Sequence, residues 1–373
     1  LKDYGAVGVE KCFNCGNCTA ICPLASTDYP FPRSVIRRIQ IGRRNGLRER
    51  LDPWLCYYCG DCSETCPKGA EPGETMMAAR RWLTAQYDWT GLARKFYTSK
   101  TWEIGAVFLL SAIVFLLFAL FHGPVVTGHV ALNTFAPAPL IEIADWIMLV
   151  GLSFFLLSNV YNMHRLTLGG RAPIPLKLYL TQAWQLIYQA ATQEHFTKCD
   201  GGETVPLWRK PRWRNHWLLV SGYVLMFTLI VVFLRWFQTD NLYPLWHPQR
   251  WLGYYATVVL VYGAVDALWG RIVRDHQMHR YSHPSDWMFP ILLLLTTLTG
   301  ISVHTFRYLG LPLPTYWAYV AHLCILTPML VLEVPFGKWS HLAYRPVAIY
   351  FQNLREKATQ ESVVPAGGLA VAD

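Results

Sequence analysis

Eight of the ten cysteines in this 373-residue chain lie in two short runs near its start, and no other feature constrains the fold so tightly. The first run is Cys12-Phe-Asn-Cys15-Gly-Asn-Cys18-Thr-Ala-Ile-Cys22-Pro23, and the second is Cys56-Tyr-Tyr-Cys59-Gly-Asp-Cys62-Ser-Glu-Thr-Cys66-Pro67. Each reads Cys-x2-Cys-x2-Cys-x3-Cys-Pro. Two-residue spacers let three thiolates curl around one face of an iron–sulfur cubane, and the proline turns the chain so that the fourth thiolate reaches a second one. The expected ligand sets therefore cross: Cys12, Cys15, Cys18 and Cys66 for one [4Fe–4S] cluster, and Cys56, Cys59, Cys62 and Cys22 for the other. Structural zinc, the alternative, usually takes four ligands from two Cys-x2-Cys pairs, not two complete copies with a trailing proline. Cys199 and Cys324 stand alone and are expected to be unligated thiols. Grouping at metal-ligand spacing points to a reducing compartment, not to a disulfide framework.

Between the two runs, Pro32-Arg33-Ser34-Val35-Ile36-Arg37-Arg38-Ile39-Gln40-Ile41-Gly42 has helical apolar spacing at 35, 36 and 39. Arg33, Arg37, Arg38, Arg43, Arg44, Arg48 and Arg50 make this segment strongly basic. It reads either as a solvated helix face beside anionic clusters or as a docking surface for an acidic or flavin-bearing partner. Residues 76–85 also read as helix, so the cluster region is expected to be helical, not βαβ. The stretch 12–83, with Pro53-Trp54-Leu55-Cys56, resembles the small iron–sulfur subunit of heterodisulfide reductases. That resemblance implies an α-helical ferredoxin fold relaying electrons between flavin and another centre.

Beyond residue 100 the composition changes to long apolar stretches. Six segments, at about 102–121, 141–161, 217–237, 252–272, 287–306 and 316–336, approach the roughly 20 residues needed to span a bilayer. The expected fold is all-α: a helical two-cluster ferredoxin domain over 1–100, a six-helix membrane domain over 101–345, and a cytoplasmic tail over 346–373. The net charge of +9 raises the question of nucleic acid, but cytoplasmic segments of membrane proteins are rich in Lys and Arg. With the cluster domain inside, 30 of the 33 Lys and Arg lie inside and only Arg235, Arg250 and Arg307 outside. The clusters and the C-terminus are thus expected on the cytoplasmic side of the inner membrane, with lipid and not nucleic acid as partner. Residues 176–191, inside the long inner loop, read as an interfacial helix. Residues 1–11 have no apolar core, so no secretory signal is expected, and the absence of an initial Met suggests numbering that starts inside the gene product.

Histidines sort onto the two faces of this arrangement. His164, His216, His276, His279, His283 and His341 fall near the inner surface; His122, His129, His304 and His322 fall near the outer one. Ionisable groups at membrane depth are functional candidates, and paired imidazoles from facing helices hold a b-type haem. Read as one last helix, the segment carrying His322 and His341 separates them by 19 residues, nearly the whole membrane core. Asp266, Glu333 and Arg235 are further intramembrane charges, suited to a haem propionate, a proton relay or a helix-to-helix contact.

Residues 285–346 resemble the end of the cytochrome b (gamma) subunit of respiratory nitrate reductases, through Ala321-His322-Leu323, Pro335-Phe336-Gly337-Lys338-Trp339-Ser340-His341 and Pro346. Asn215-His216-Trp217 matches the first histidine of an earlier helix in that family. The resemblance implies His216 and His341 as ligands of an inner haem b. The chain then departs from the pattern, with Met226 where that family has its next histidine and one extra residue between His322 and Pro335. For a second, outer haem this leaves His322 to pair with His122, His129 or His304, to take Met226, or to bind no haem and hydrogen-bond a quinone carbonyl instead.

Taken whole, the chain resembles the membrane-embedded (C) subunit of quinone-interacting membrane-bound oxidoreductase complexes of sulfur-metabolising prokaryotes. That resemblance implies menaquinone as substrate, two flavoprotein/iron–sulfur partner subunits, and adenylylsulfate reductase as the distal electron partner. The alternatives are a cytochrome-linked subunit of a heterodisulfide reductase-type complex and a non-catalytic membrane anchor. The former would need a separate catalytic subunit, because no Cys-Cys-Gly motif occurs here.

Overall fold

In a computed structural model, residues 1–26, 29–170, 173–194, 197, 211–274 and 276–363 are described. Among them there is no strand beyond an isolated bridge between Ser26 and Tyr29. Cys199 lies outside the described residues. The chain is all-α and divides into two compact units. The first comprises residues 1–89, 158–202 and 341–373, the second residues 90–157 and 203–340.

The first unit is built from short helices α1 (Asn17–Ile21), α2 (Arg33–Gln40), α3 (Arg44–Arg48), α4 (Asp52–Leu55) and α5 (Asp61–Glu64), followed by the longer α6 (Pro72–Tyr87). In α2 the apolar spacing does what it promises: Val35 and Ile36 are buried while Arg33 and Arg37 face solvent. Pro72 opens α6, where a missing N–H costs nothing. Met76, Ala78, Ala79 and Leu83 of α6 are fully buried, and so is Tyr87 at its end. Helices α11 (Leu176–Gln182), α12 (Trp184–Thr192) and α19 (His341–Val363) complete this unit, with the end of α10 (Ala138–Leu168). Tyr344 of α19 packs 5.0 Å from Trp54 and 5.5 Å from Tyr87, and the Trp54 indole N–H donates to the Tyr87 hydroxyl at 3.3 Å. The helix expected over 176–191 is present as two pieces joined at Ala183. Leu176, Leu180, Trp184 and Ile187 form an exposed apolar stripe along it, as a helix lying in a membrane surface requires.

The second unit holds α7 (Leu92–Thr98), α8 (Lys100–Phe121), α9 (Leu132–Phe135), most of α10, α13 (Pro211–Val231), α14 (Leu234–Phe237), α15 (Pro248–Val273), α16 (Gln277–Arg280), α17 (Ser285–Tyr308) and α18 (Pro312–Glu333). Six of these, α8, α10, α13, α15, α17 and α18, are long and apolar enough to cross a membrane. Helix α13 packs on α15, α15 on α17, α17 on α18, and α18 on α8. Pro328 inside α18 cannot donate to the carbonyl of Cys324, and the Ser111 hydroxyl of α8 supplies that bond at 2.7 Å. Several boundaries differ from the expected spans: α10 runs on to Leu168, past the expected end at 161, and two other differences have a local cause. The third span stops at Val231 and a new turn begins at Leu234, where Gln238 is anchored on the Ala136 carbonyl at 2.9 Å. The last span begins at Pro312 and stops at Glu333, because Pro335 disfavours helix in the residue before it. His322 and His341 therefore sit on different helices, α18 and α19, and not on one continuous last helix.

Candidate functional site

The two cysteine runs fold as near copies of one loop. In each, the residue before the second cysteine and the glycine after it have positive φ: Asn14 at 62° and Gly16 at 93°, Tyr58 at 58° and Gly60 at 99°. This left-handed backbone suits glycine and is tolerated by asparagine, and it turns successive N–H groups towards one side. The Asn14 N–H donates to the Cys12 sulfur at 3.4 Å, and the Tyr58 N–H donates to the Cys56 sulfur at 3.3 Å. A third such bond runs from the Ala70 N–H to the Cys66 sulfur, at 3.4 Å. N–H donors aimed at sulfur stabilise thiolate ligands and tune cluster potential.

Cys22, Cys56, Cys59 and Cys62 line one cavity with Ile21, Phe31 and Met76, so the last cysteine of the first run meets the first three of the second. Cys12, Cys15 and Cys66 are the thiols that act on Cys18. Burial, then the nearby Cys56 and Cys59 thiols, push Cys22 up to about 12, and Cys62 is raised chiefly by burial too. Among the described residues no three His, Cys, Asp or Glu side chains converge to hold a single metal ion. Thiols spread around a cavity suit a cubane, whose four thiolates surround a larger body.

The surroundings of the two loops differ. At Cys12 the carbonyl accepts from the neutral side-chain amide of Gln40 at 2.6 Å, and Gln40 in turn accepts from the Asn14 amide at 2.7 Å. At Cys56 the carbonyl accepts from two guanidinium groups, those of Arg80 on α6 and Arg345 on α19. Arg80 also donates to the Pro53 carbonyl at 2.5 Å, and Arg345 to the Trp54 carbonyl at 3.2 Å. Sequence reasoning missed Gln40, Arg80 and Arg345, since none falls within a motif.

Within the second unit a cavity of about 420 Å³ opens between helices α10, α13, α15, α17 and α18. Its walls are mostly apolar, and its polar groups include His304, His322, Tyr254, Asp145 and Gln238. His322 points Nδ1 at the Thr296 carbonyl, 3.0 Å away, with the Thr299 hydroxyl at 3.2 Å. A carbonyl can only accept, so Nδ1 carries the hydrogen, and in the neutral imidazole Nε2 keeps its lone pair. Gly300 leaves room for this placement: a Cβ there would stand a tight 3.2 Å from the imidazole Cε1. His304 Nε2 lies 2.9 Å from the Tyr254 hydroxyl. Asp145 keeps one buried carboxylate oxygen without a hydrogen-bond partner. Met226 lines the same cavity, whereas His122 and His129 do not. His122 instead stacks on Phe135 at 5.3 Å, with Nδ1 2.7 Å from the Gly123 carbonyl.

His216 lies on α13 of the second unit, and His341 opens α19 of the first. The three further intramembrane charges all find protein partners. Arg235 pairs with Glu142 at 2.7 Å, Asp266 accepts from Asn215 at 3.4 Å, and Glu333 accepts from the Lys338 N–H at 2.8 Å.

Residues 8–70 match the 4Fe-4S dicluster domain family. Over 88 residues, 23% of this chain and 47% of the relative, the sequence is 35% identical to a protein of Archaeoglobus profundus that is named as like the C subunit of heterodisulfide reductase. Over 110 residues, 30% of this chain and 53% of the relative, it is 28% identical to the iron-sulfur C subunit of the CoB–CoM heterodisulfide reductase of Methanopyrus kandleri. The chain thus spans about half the length of the curated relatives it matches. No solved structure matches it. Its N-terminal region is a 4Fe-4S dicluster domain related to the C subunit of heterodisulfide reductase, followed by six candidate membrane spans.

Proposed function

We propose that this chain is the membrane subunit of a quinone-linked oxidoreductase, passing electrons from menaquinol to cytoplasmic flavoprotein subunits. The observation that carries this reading is the presence, on one chain, of the eight-cysteine array and a roomy cavity among six candidate spans. Apolar walls with a few convergent polar groups suit a lipid-soluble ring compound. Oxidation of a quinol releases two electrons and two protons. The free lone pair of His322 Nε2 can take one of these protons from a quinol hydroxyl, and the unpartnered Asp145 oxygen can take the other.

When bound, the clusters and a b-type haem supply one-electron carriers that the side chains lack. In this reading Cys12, Cys15, Cys18 and Cys66 hold one cluster, and Cys56, Cys59, Cys62 and Cys22 the other. His216 and His341 hold the inner haem, with the clusters on the cytoplasmic side. Adenylylsulfate reductase is the distal electron partner by family resemblance. The test is to add quinol to the purified, oxidised protein and follow cluster reduction by EPR, with haem counted by pyridine haemochrome. The expected result is quinol-dependent cluster reduction and a reducible b-type spectrum that is lost in His216→Met and His341→Met. No reducible haem and no quinol-dependent reduction would sink the proposal. Quinol-linked activity that survives loss of haem would leave the membrane domain as an anchor.

A second reading follows from the names of the two relatives: the chain serves a heterodisulfide reductase-type complex whose thiol–disulfide chemistry lies in another protein of that assembly. Cluster oxidation by a disulfide, in the presence of co-purified subunits but not by this chain alone, would favour it.

A further inference from the structure

The two cluster loops share backbone geometry and N–H···S bonds, so the difference in what holds them stands out as a difference of charge. At Cys12 the first-cysteine carbonyl rests on a neutral amide, Gln40. The equivalent carbonyl at Cys56 rests on two guanidinium groups, Arg80 and Arg345. Arg80 donates to the Pro53 carbonyl at 2.5 Å, to the Cys56 carbonyl and to the Met77 sulfur at 3.3 Å, and it lies within hydrogen-bonding reach of the Cys56 thiol as well. Arg80 is only 9% exposed and Cys56 only 8%. A buried cation with neutral partners is costly unless an anion lies close by. Arg345 adds a second positive charge, placed over the Tyr57 ring at 4.9 Å. The first loop has a cation nearby as well, since a Cβ at Gly16 would stand 3.0 Å from the Arg33 guanidinium. Arg33 is exposed, however, and water screens its charge.

A cluster with four thiolate ligands is anionic, and reduction adds one electron and one further negative charge. Burial alone opposes that charge and lowers the potential; nearby fixed cations raise it. Resting on the dicluster reading of the array, we infer that Arg80 and Arg345 are positioning residues that hold up the potential of the cluster bound at Cys56, Cys59, Cys62 and Cys22. They act through the Cys56 backbone and the field of two guanidiniums, where the equivalent Cys12 carbonyl has the neutral amide of Gln40. The two clusters thereby differ in potential by design of their surroundings and not of their ligands.

The experiment is an EPR-monitored redox titration of the purified full-length protein, with Cys59→Ser used to mark which signal belongs to the second cluster. In Arg345→Gln that signal shifts to lower potential while the signal of the other cluster stays in place. Arg345→Lys, which keeps the charge and loses the fork, retains most of the wild-type potential. Arg80→Lys behaves likewise if it folds; Arg345 is the less buried of the two and the safer test. A shift of both signals together, or of neither, overturns the inference. Iron analysis on the same wild-type sample separates the two levels of argument, because fewer than two clusters per chain would overturn the dicluster reading itself.

Discussion

Gly300 and Pro328 illustrate how single residues control the membrane unit. A Cβ at position 300 would lie 3.2 Å from His322 Cε1, so the ring would have to give by a few tenths of an ångström, and a longer side chain would push it further. Gly300→Leu should therefore displace the imidazole from its bond to the Thr296 carbonyl and spoil the cavity. The expected outcome is a rise in quinol KM of about tenfold, equivalent to ~1.4 kcal/mol, with iron content unchanged. Steady-state quinol oxidation alongside iron analysis checks it, and an unchanged KM would remove His322 from the binding site. The Ser111 hydroxyl answers the carbonyl that Pro328 leaves open. Ser111→Ala should cost about 1 kcal/mol, the usual size of an interhelical hydrogen bond in a membrane. A thermal melt in detergent reads this, and no loss at all would mean that Cys324 finds another donor.

At the scale of elements, α19 is the piece whose role the chain order conceals. It follows the last candidate span, yet it packs on α4, α11 and α12 and sends Tyr344 between Trp54 and Tyr87. Tyr344 is fully buried, so Tyr344→Ala should cost about 3–5 kcal/mol, as deletion of a buried aromatic ring does. Because Trp54 leads directly into Cys56, the expected consequence is earlier thermal bleaching of the iron–sulfur absorbance. Bleaching at the wild-type temperature would mean that α19 does not support the cluster loops. By contrast α2 was readable from sequence: its apolar residues recur at helical spacing, and Val35 and Ile36 are indeed buried. The existence of all six candidate spans was readable as well, because length and hydrophobicity are local properties. Their ends were not, since Pro335 and the tie from Gln238 to Ala136 act through the chain's path and not its composition.

For the whole molecule, the excess of Lys and Arg in alternate loops argues for the cluster domain in the cytoplasm. Asn45, beside the basic segment, and Leu245, between α14 and α15, are both exposed and lie on opposite sides in that orientation. In a background with Cys199 and Cys324 removed, a membrane-impermeant maleimide should label Leu245→Cys in spheroplasts and Asn45→Cys only in inverted vesicles. The opposite pattern would turn the molecule over.

The eight-cysteine array was already complete in the sequence, because a cubane's ligands follow from spacing along the chain and need no knowledge of distant contacts. Six apolar segments and their charge asymmetry were equally local. What only the tertiary structure decided is what surrounds those features. It placed His322 and His304 around one cavity while leaving His122 and His129 outside it, and it put His341 on a separate helix from His322. It also brought Arg345 across 289 positions to the carbonyl of Cys56. Ligand spacing is written in consecutive residues. The electric field at a centre depends on side chains that folding gathers from anywhere in the chain.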